Sequence, residues 1–225
     1  MDSYKNKIVD KPWGYEYLIY ENDLVALWLL HIKPNQKTSL HCHPKKTTGL
    51  VLLSGKAELS FLADKKVINS PDKQMLRRGL FHQTKSLSED GIIVLEIETP
   101  NDKGDLIRLK DSYGRENKGY EKSNYEREKN IECIWINEPK ENESCTYKVK
   151  DKLIEVSSVT SKDFLKKMND TDIVMFLNGG LGKNVDGKER LATMPGDVGR
   201  AAVIKKVAEE MDYVSKNTLV LKIAG

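Results

Sequence analysis

Hydrophobic positions in the first hundred residues fall in short runs broken by turn residues, with no helical spacing. Residues 24–32 read Leu-Val-Ala-Leu-Trp-Leu-Leu-His-Ile, a nearly continuous apolar run closed by Lys33-Pro34-Asn35-Gln36, a turn signal. A short extended piece at 39–43 follows, then an apolar run at 49–53 that turns at Ser54-Gly55. From 57 to 62 the pattern alternates, with Ala57, Leu59 and Phe61 on one face, and a last β-rich run occupies 91–97. Many short strands joined by Gly, Pro and Asn turns predict a sandwich or closed barrel, a mainly β fold.

Residues 101–130 are rich in Lys, Glu, Asp, Asn and Tyr and poor in aliphatics, which predicts a surface excursion or interdomain connection, with Tyr113, Tyr120 and Tyr125 as its ordering side chains. Structure resumes with predicted strands at 131–136, 152–156, 173–177 and 218–223. A short helix is predicted at 163–168 with Ser161 as N-cap. A second, amphipathic helix is predicted at 200–211, with Ala201, Ile204, Val207, Ala208 and Met211 on one face. Two domains are expected, 1–125 and 131–225. Leu53-Ser54-Gly55 precedes Pro71-Asp72 at almost the separation by which Leu177-Asn178-Gly179 precedes Gly196-Asp197. The second stretch contains Asp186-Gly187, a strong hairpin turn. The second half therefore reads as a degenerate copy of the first. The glycine-rich Asn178-Gly179-Gly180-Leu181-Gly182 is read as a turn, because no basic pattern of a nucleotide loop surrounds it.

With 225 residues, 39% of them hydrophobic, the chain can bury one good core or two small ones. Net charge is +3 with both signs mixed along the chain, which argues against a dedicated nucleic-acid surface. No apolar run reaches the roughly 18 residues that span a bilayer, and the N-terminus has no apolar segment behind its charges, so no secretory signal is expected. The three cysteines match no zinc-finger spacing and point to a reducing cytoplasm. Cys42 is expected as a free thiol.

The candidate chemistry lies in the histidines. His41 and His43 stand two apart on a strand and project from one face. His82 follows the turn Arg78-Gly79-Leu80-Phe81. Ligands from separate strands close a cap on one divalent ion and leave open positions for water or substrate. His31 lies in an apolar strand and is expected to be structural, and Trp13 and Trp28 are expected in core or rim packing.

Pro34-Asn35, His41-Cys42-His43, Gly55, Asp72 and Gly79-Leu80-Phe81-His82 follow the spacing and order of the two cupin motifs. The sequence resembles that superfamily, whose fold is a double-stranded β-helix or jelly-roll barrel, and the second half would be a degenerate cupin-like α+β domain. Lys11-Pro12-Trp13-Gly14-Tyr15-Glu16 and Asp105-Leu-Ile-Arg108-Leu-Lys-Asp111-Ser-Tyr113-Gly-Arg115 are similar to the opening and close of the cupin domain in bacterial type II mannose-6-phosphate isomerases, a resemblance covering about residues 10–115. Asn35 replaces the first motif glycine, and Asn tolerates the same left-handed turn. Pro71 and Arg77 stand where Gly and Pro are usual. Thr48 stands at the position of the glutamate ligand, which leaves that position vacant because a Thr hydroxyl ligates a divalent ion poorly.

The resemblance implies one divalent metal (zinc, iron, manganese or nickel) on His41, His43 and His82, and a small-molecule carbohydrate substrate. It implies a cytoplasmic sugar-phosphate or sugar-nucleotide isomerase or epimerase of carbohydrate or surface-polysaccharide biosynthesis, with neither nucleic acid nor membrane as partner and a homodimer as the expected assembly. Two alternatives are a three-histidine iron dioxygenase and a non-catalytic sugar-binding cupin. The isomerase reading needs a base. Glu96 or Glu98 can supply it; strand alternation is taken to turn only one of them inward, and Glu96 is preferred. Cations for a phosphate are expected from Lys45, Arg77, Arg78, Arg108 and Arg115.

Overall fold

The computed structural model describes residues 4–116, 118–120 and 133–225. They form two compact units, Met1–Trp135 and Ile136–Gly225. Tyr125 and the first two positions of the strand expected at 131–136 lie outside the described residues. Among the described residues no helix is long and apolar enough to cross a membrane.

The first unit contains β1 (Ile8–Lys11), β2 (Gly14–Glu21), β3 (Ala26–Ile32), β4 (Leu40–Cys42), β5 (Thr47–Ser54), β6 (Lys56–Ser60), β7 (Lys65–Asn69), β8 (Asp72–Leu76), β9 (Gln83–Ser86), β10 (Ile92–Thr99) and β11 (Ile107–Lys110). One sheet has the order β1-β2-β3-β10-β5-β8, a second has β7-β6-β9, and β11-β4 form a two-stranded ribbon. This is the double-stranded β-helix that the motifs imply. Its core is built by alternation. Ala26, Trp28, Leu30 and Ile32 of β3, Leu50 and Leu52 of β5, and Ile92 and Val94 of β10 share the inner face with Ala57 and Leu59 of β6. His31, of opposite parity, stacks on Tyr15 at 4.3 Å between ring centroids, in keeping with a structural role. Trp13 and Trp28 are both buried in the core. Asn35 takes φ 59°, the left-handed turn expected of it just before β4.

The second unit contains β12 (Ser144–Val149), β13 (Lys152–Val159), a 3-10 helix (Lys162–Lys167), β14 (Ile173–Asn178), β15 (Leu181–Val185), β16 (Lys188–Leu191), β17 (Val198–Arg200), α1 (Ala201–Glu209), β18 (Tyr213–Val214) and β19 (Thr218–Ile223). The Ser161 hydroxyl accepts from the Asp163 amide and caps the 3-10 helix, as its sequence predicts. On α1, Ala201, Ile204 and Ala208 turn into an apolar core with Val174, Phe176 and Val220, and Val207 and Met211 pack on its edge. Asp186 and Gly187, at φ 52° and 72°, form the two-residue hairpin between β15 and β16.

The expected strand at 131–136 is absent from its described part, Cys133 to Ile136. Its side chains are used as anchors instead of in a ladder. Trp135 packs on the first core, with the Lys5 ammonium 4.3 Å over its ring.

Candidate metal centre and substrate pocket

Backbone pairing brings the histidines together. The His41 amide donates to the His82 carbonyl at 3.0 Å and the His82 amide returns a bond to His41 at 2.8 Å, while Gly79 N–H reaches the His43 carbonyl at 2.9 Å. Gly79, at φ 73°, makes the tight turn that this contact needs. The imidazole centroids then lie 4.4, 5.0 and 5.5 Å apart. A ligand nitrogen from each ring falls within 4.8 Å of the others.

The rings are also oriented. Each Nδ1 meets a backbone carbonyl: His41 with Ser39 at 2.8 Å, His43 with Asp105 at 2.6 Å, His82 with Leu80 at 3.0 Å. A carbonyl only accepts, so each Nδ1 carries the proton and each Nε2 keeps its lone pair, the tautomer a metal requires. Burial drives the His41 pKa well below its usual value, with His82 and His43 adding to the shift. Burial likewise lowers His43, helped by Lys46, and takes His82 down to about 4. All three rings are therefore neutral at physiological pH. The His43 Nε2 is buried with no hydrogen-bond partner. Three neutral, converging imidazoles with pinned Nδ1 atoms fit a divalent ion.

Asp105 holds this arrangement from outside. Its carboxylate accepts from the amides of Lys45 and Lys46 at 2.8 and 3.0 Å while its carbonyl takes the His43 proton. One residue of the segment before β11 thus fixes both the ring and the loop that follows it.

Glu96 and Glu98 both face the pocket. The expectation that alternation admits only one of them is corrected here: residues two apart on a strand share a face, the same relation that unites His41 and His43. Their environments differ. Glu98 accepts from the Lys46 ammonium at 2.9 Å, with both side chains 1% exposed, and Lys103 lies 3.6 Å away. Burial works to raise the Glu98 carboxyl, but Lys103 and Lys46 outweigh it and hold it at about 2. Burial and then the Glu98 charge push Glu96 up to about 8. One carboxyl is therefore ionised and its neighbour protonated near neutral pH, the arrangement that separates base from acid in one site.

The pocket is continued by charges that the sequence reading passed over. Glu16 is approached by Lys103 at 3.2 Å and Lys11 at 3.6 Å, and the Tyr120 hydroxyl donates to it at 2.5 Å. The Lys103 ammonium sits 3.7 Å over the Trp28 ring. Lys11 and Glu16 stood in the quoted opening motif, and strand parity alone would have paired Glu16 with the inner face. Lys103 carried no such signal, lying in a stretch that reads as solvated surface.

Of the expected cations, Arg108 and Arg115 line the pocket. Both also brace the chain: Arg108 donates to the carbonyls of Lys118 and Gly119, the latter at 2.7 Å, and Arg115 grips Asp111 through Nε at 3.0 Å and Nη2 at 2.8 Å. Lys45, Arg77 and Arg78 are exposed and do not line it. Lys46, next to Lys45, is the buried one, and its ammonium meets Glu98. Thr48 is buried on the inner face with its hydroxyl unpartnered. Cys42 is a buried free thiol.

Comparison with known proteins bears on the first unit. No curated protein matches the chain. Among solved structures, a conserved protein with a double-stranded β-helix domain from Klebsiella pneumoniae is 16% identical, with TM-score 0.40, over 48% of this chain and 88% of its own. KdgF from Halomonas is 12% identical, with TM-score 0.40, over 44% and 91%. A sugar phosphate isomerase of the cupin superfamily from Silicibacter pomeroyi is 14% identical, with TM-score 0.36, over 38% and 58%. The family model described as mannose-6-phosphate isomerase C-terminal matches residues 2–111. Those residues hold the strands, the three histidines and both glutamates, so the first unit, a double-stranded β-helix, is similar to the mannose-6-phosphate isomerase C-terminal family.

Proposed function

We propose that the first unit binds an anionic sugar, a sugar phosphate or sugar nucleotide, beside a divalent ion and moves a proton between neighbouring carbons, as an isomerase or epimerase. The observation that carries this reading is the juxtaposition of the three oriented imidazoles with two carboxyls of opposite protonation. Glu96 is the proton-carrying group, close to His43 and Glu98. In the metal-free pocket, burial and the Glu98 charge hold its carboxyl up at about 8, so Glu96 carries a proton that it can give. Glu98, ionised and locked to Lys46, keeps Glu96 protonated through its charge. A bound divalent ion would supply charge stabilisation to a developing oxyanion.

The pocket favours an anion. Its lining carries five cationic side chains, Lys11, Lys46, Lys103, Arg108 and Arg115, against three carboxyls, Glu16, Glu96 and Glu98, one of them protonated. The segment ending at Tyr120 closes one side, held by Arg108 below and Glu16 at its tip. The test is solvent exchange. Protein loaded with divalent metal, incubated with mannose 6-phosphate and a panel of other sugar phosphates and sugar nucleotides in heavy water, is expected to incorporate deuterium next to the carbonyl carbon. Glu96→Gln should abolish the exchange while leaving ligand binding. Absence of exchange with every sugar, together with absence of binding, would overturn the reading.

A further inference from the structure

Among the buried side-chain atoms with no hydrogen-bond partner are His43 Nε2, Thr48 Oγ1 and Glu98 Oε2. They belong together. Thr48 on β5 and Glu98 on β10 are directly opposed in the antiparallel ladder, so their side chains rise from the same face. Ligand atoms of His43, Glu96 and Glu98 lie within 4.8 Å of one another, a group that shares His43 with the three-histidine group. Because His43 donates through Nδ1, its Nε2 is an acceptor. Glu98 Oε1 is taken by Lys46 at 2.9 Å, which leaves Oε2 as a second acceptor. The Thr48 hydroxyl, opposed to Glu98 in the ladder, makes no hydrogen bond to either atom; two buried acceptors left without a donor are costly, and a cation satisfies both.

We infer that this chain takes the carboxylate of its metal centre from β10 instead of β5: Glu98, across the ladder from Thr48, supplies the anionic oxygen that the threonine lacks. The inference rests on the reading that the histidines hold a divalent ion. It changes the chemistry of the donor set, because three neutral imidazoles alone would leave the ion's charge uncompensated. Lys46 becomes a positioning residue: by occupying Oε1 it directs Oε2 to His43.

The test uses the full chain, stripped with chelator and titrated with Zn²⁺, reading bound zinc by elemental analysis and the rise in melting temperature on loading. Wild type is expected to hold zinc tightly. Glu98→Gln, which keeps an oxygen for Lys46, should weaken it by about tenfold or more, and Thr48→Glu added to Glu98→Gln should restore most of the loss. Thr48→Glu alone should gain less than about threefold, since the carboxylate place is already filled. Unchanged affinity in Glu98→Gln, or a gain of about tenfold or more in Thr48→Glu alone, would show that Glu98 is not a ligand, and a water donating to both acceptors would then be the simpler account. That failure is distinct from failure of the underlying reading, which would appear as no zinc bound by wild type or equal binding by His43→Ala.

Discussion

The two units share a strand order and differ at the mouth. In the first, the large sheet runs β2-β3-β10-β5-β8 after its edge strand and the small one β7-β6-β9; in the second the corresponding orders are β12-β13-β19-β14-β17 and β16-β15-β18. Between β3 and β5 the first unit places β4 with His41 and His43, and between β8 and β9 the turn to His82. At the same two points the second unit places the 3-10 helix and α1, whose Leu165, Ile204 and Ala208 join an apolar core. Its remaining polar pocket satisfies itself. Lys222 pairs with Glu155 at 2.7 Å, Ser157 donates to Glu155 at 3.3 Å, and the Ser144 and Ser157 hydroxyls share a bond of 2.8 Å. Among the described residues, none lining that pocket carries a buried orphan atom, whereas the first pocket has them on His43 and Glu98. The scaffold tolerates either filling; among the described residues, only the first pocket is lined by unsatisfied acceptors of this kind.

The most forceful way to break this comparison is to damage the second unit's core. Phe176, fully buried against Val174, Val220 and Ile204, is expected to cost about 3–5 kcal/mol when cut to Ala. That corresponds to a fall of roughly 10 °C in melting temperature. Zinc bound per folded molecule should not change. Lost zinc at temperatures where Phe176→Ala is still folded would mean that the two units are not separate in function.

Next in size is the converse substitution. His43→Ala removes a proposed ligand and its orphan nitrogen together, and zinc affinity should fall by about 100-fold or more, beyond what outer partners of a ligand contribute. The melting temperature of the metal-free protein should fall by only a few degrees, since the one hydrogen bond lost with the ring, to the Asp105 carbonyl, contributes about 1 kcal/mol. A large thermal loss without zinc would recast the ring as structural.

The sequence made the barrel and its histidines legible because both depend on local rules. Alternation in residues 57–62, the Asn35 turn and the Asp186-Gly187 hairpin each needed only neighbours in the chain. The shared strand order was foreshadowed for the same reason: Gly55 and Gly179 both follow a strand at positive φ, 87° and 61°. What escaped was set by partners far apart. Lys46 differs from Lys45 in the Glu98 carboxylate that its ammonium meets, about fifty positions on, and Lys103 becomes a pocket residue only once Glu16 and Glu98 surround it. Arg77 and Arg78 were attractive by proximity to His82, but their turn leaves them exposed. The inward pairing of Glu96 and Glu98 was within reach of strand parity.

The smallest expected effect concerns charge. In metal-free protein the two glutamates should bend stability with pH in opposite directions. Glu96, raised to about 8, binds its proton more tightly folded than unfolded, so its contribution is complete below the usual carboxyl value of 4.5 and is lost as pH rises from there through 8. Glu98, lowered to about 2, stabilises above 4.5 and loses its contribution as pH falls towards 2. Glu96→Gln keeps the shape and removes the titration. Its melting temperature should match wild type near pH 4 and exceed it near pH 9. The second unit has no buried acid pair of this kind among its described residues, so Glu155→Gln should shift stability by less than about 0.5 kcal/mol at any pH, as expected for an ion pair in partial contact with water. Equal pH profiles for Glu96→Gln and wild type would remove the buried acid from the first pocket, and with it the sharpest chemical difference between the halves.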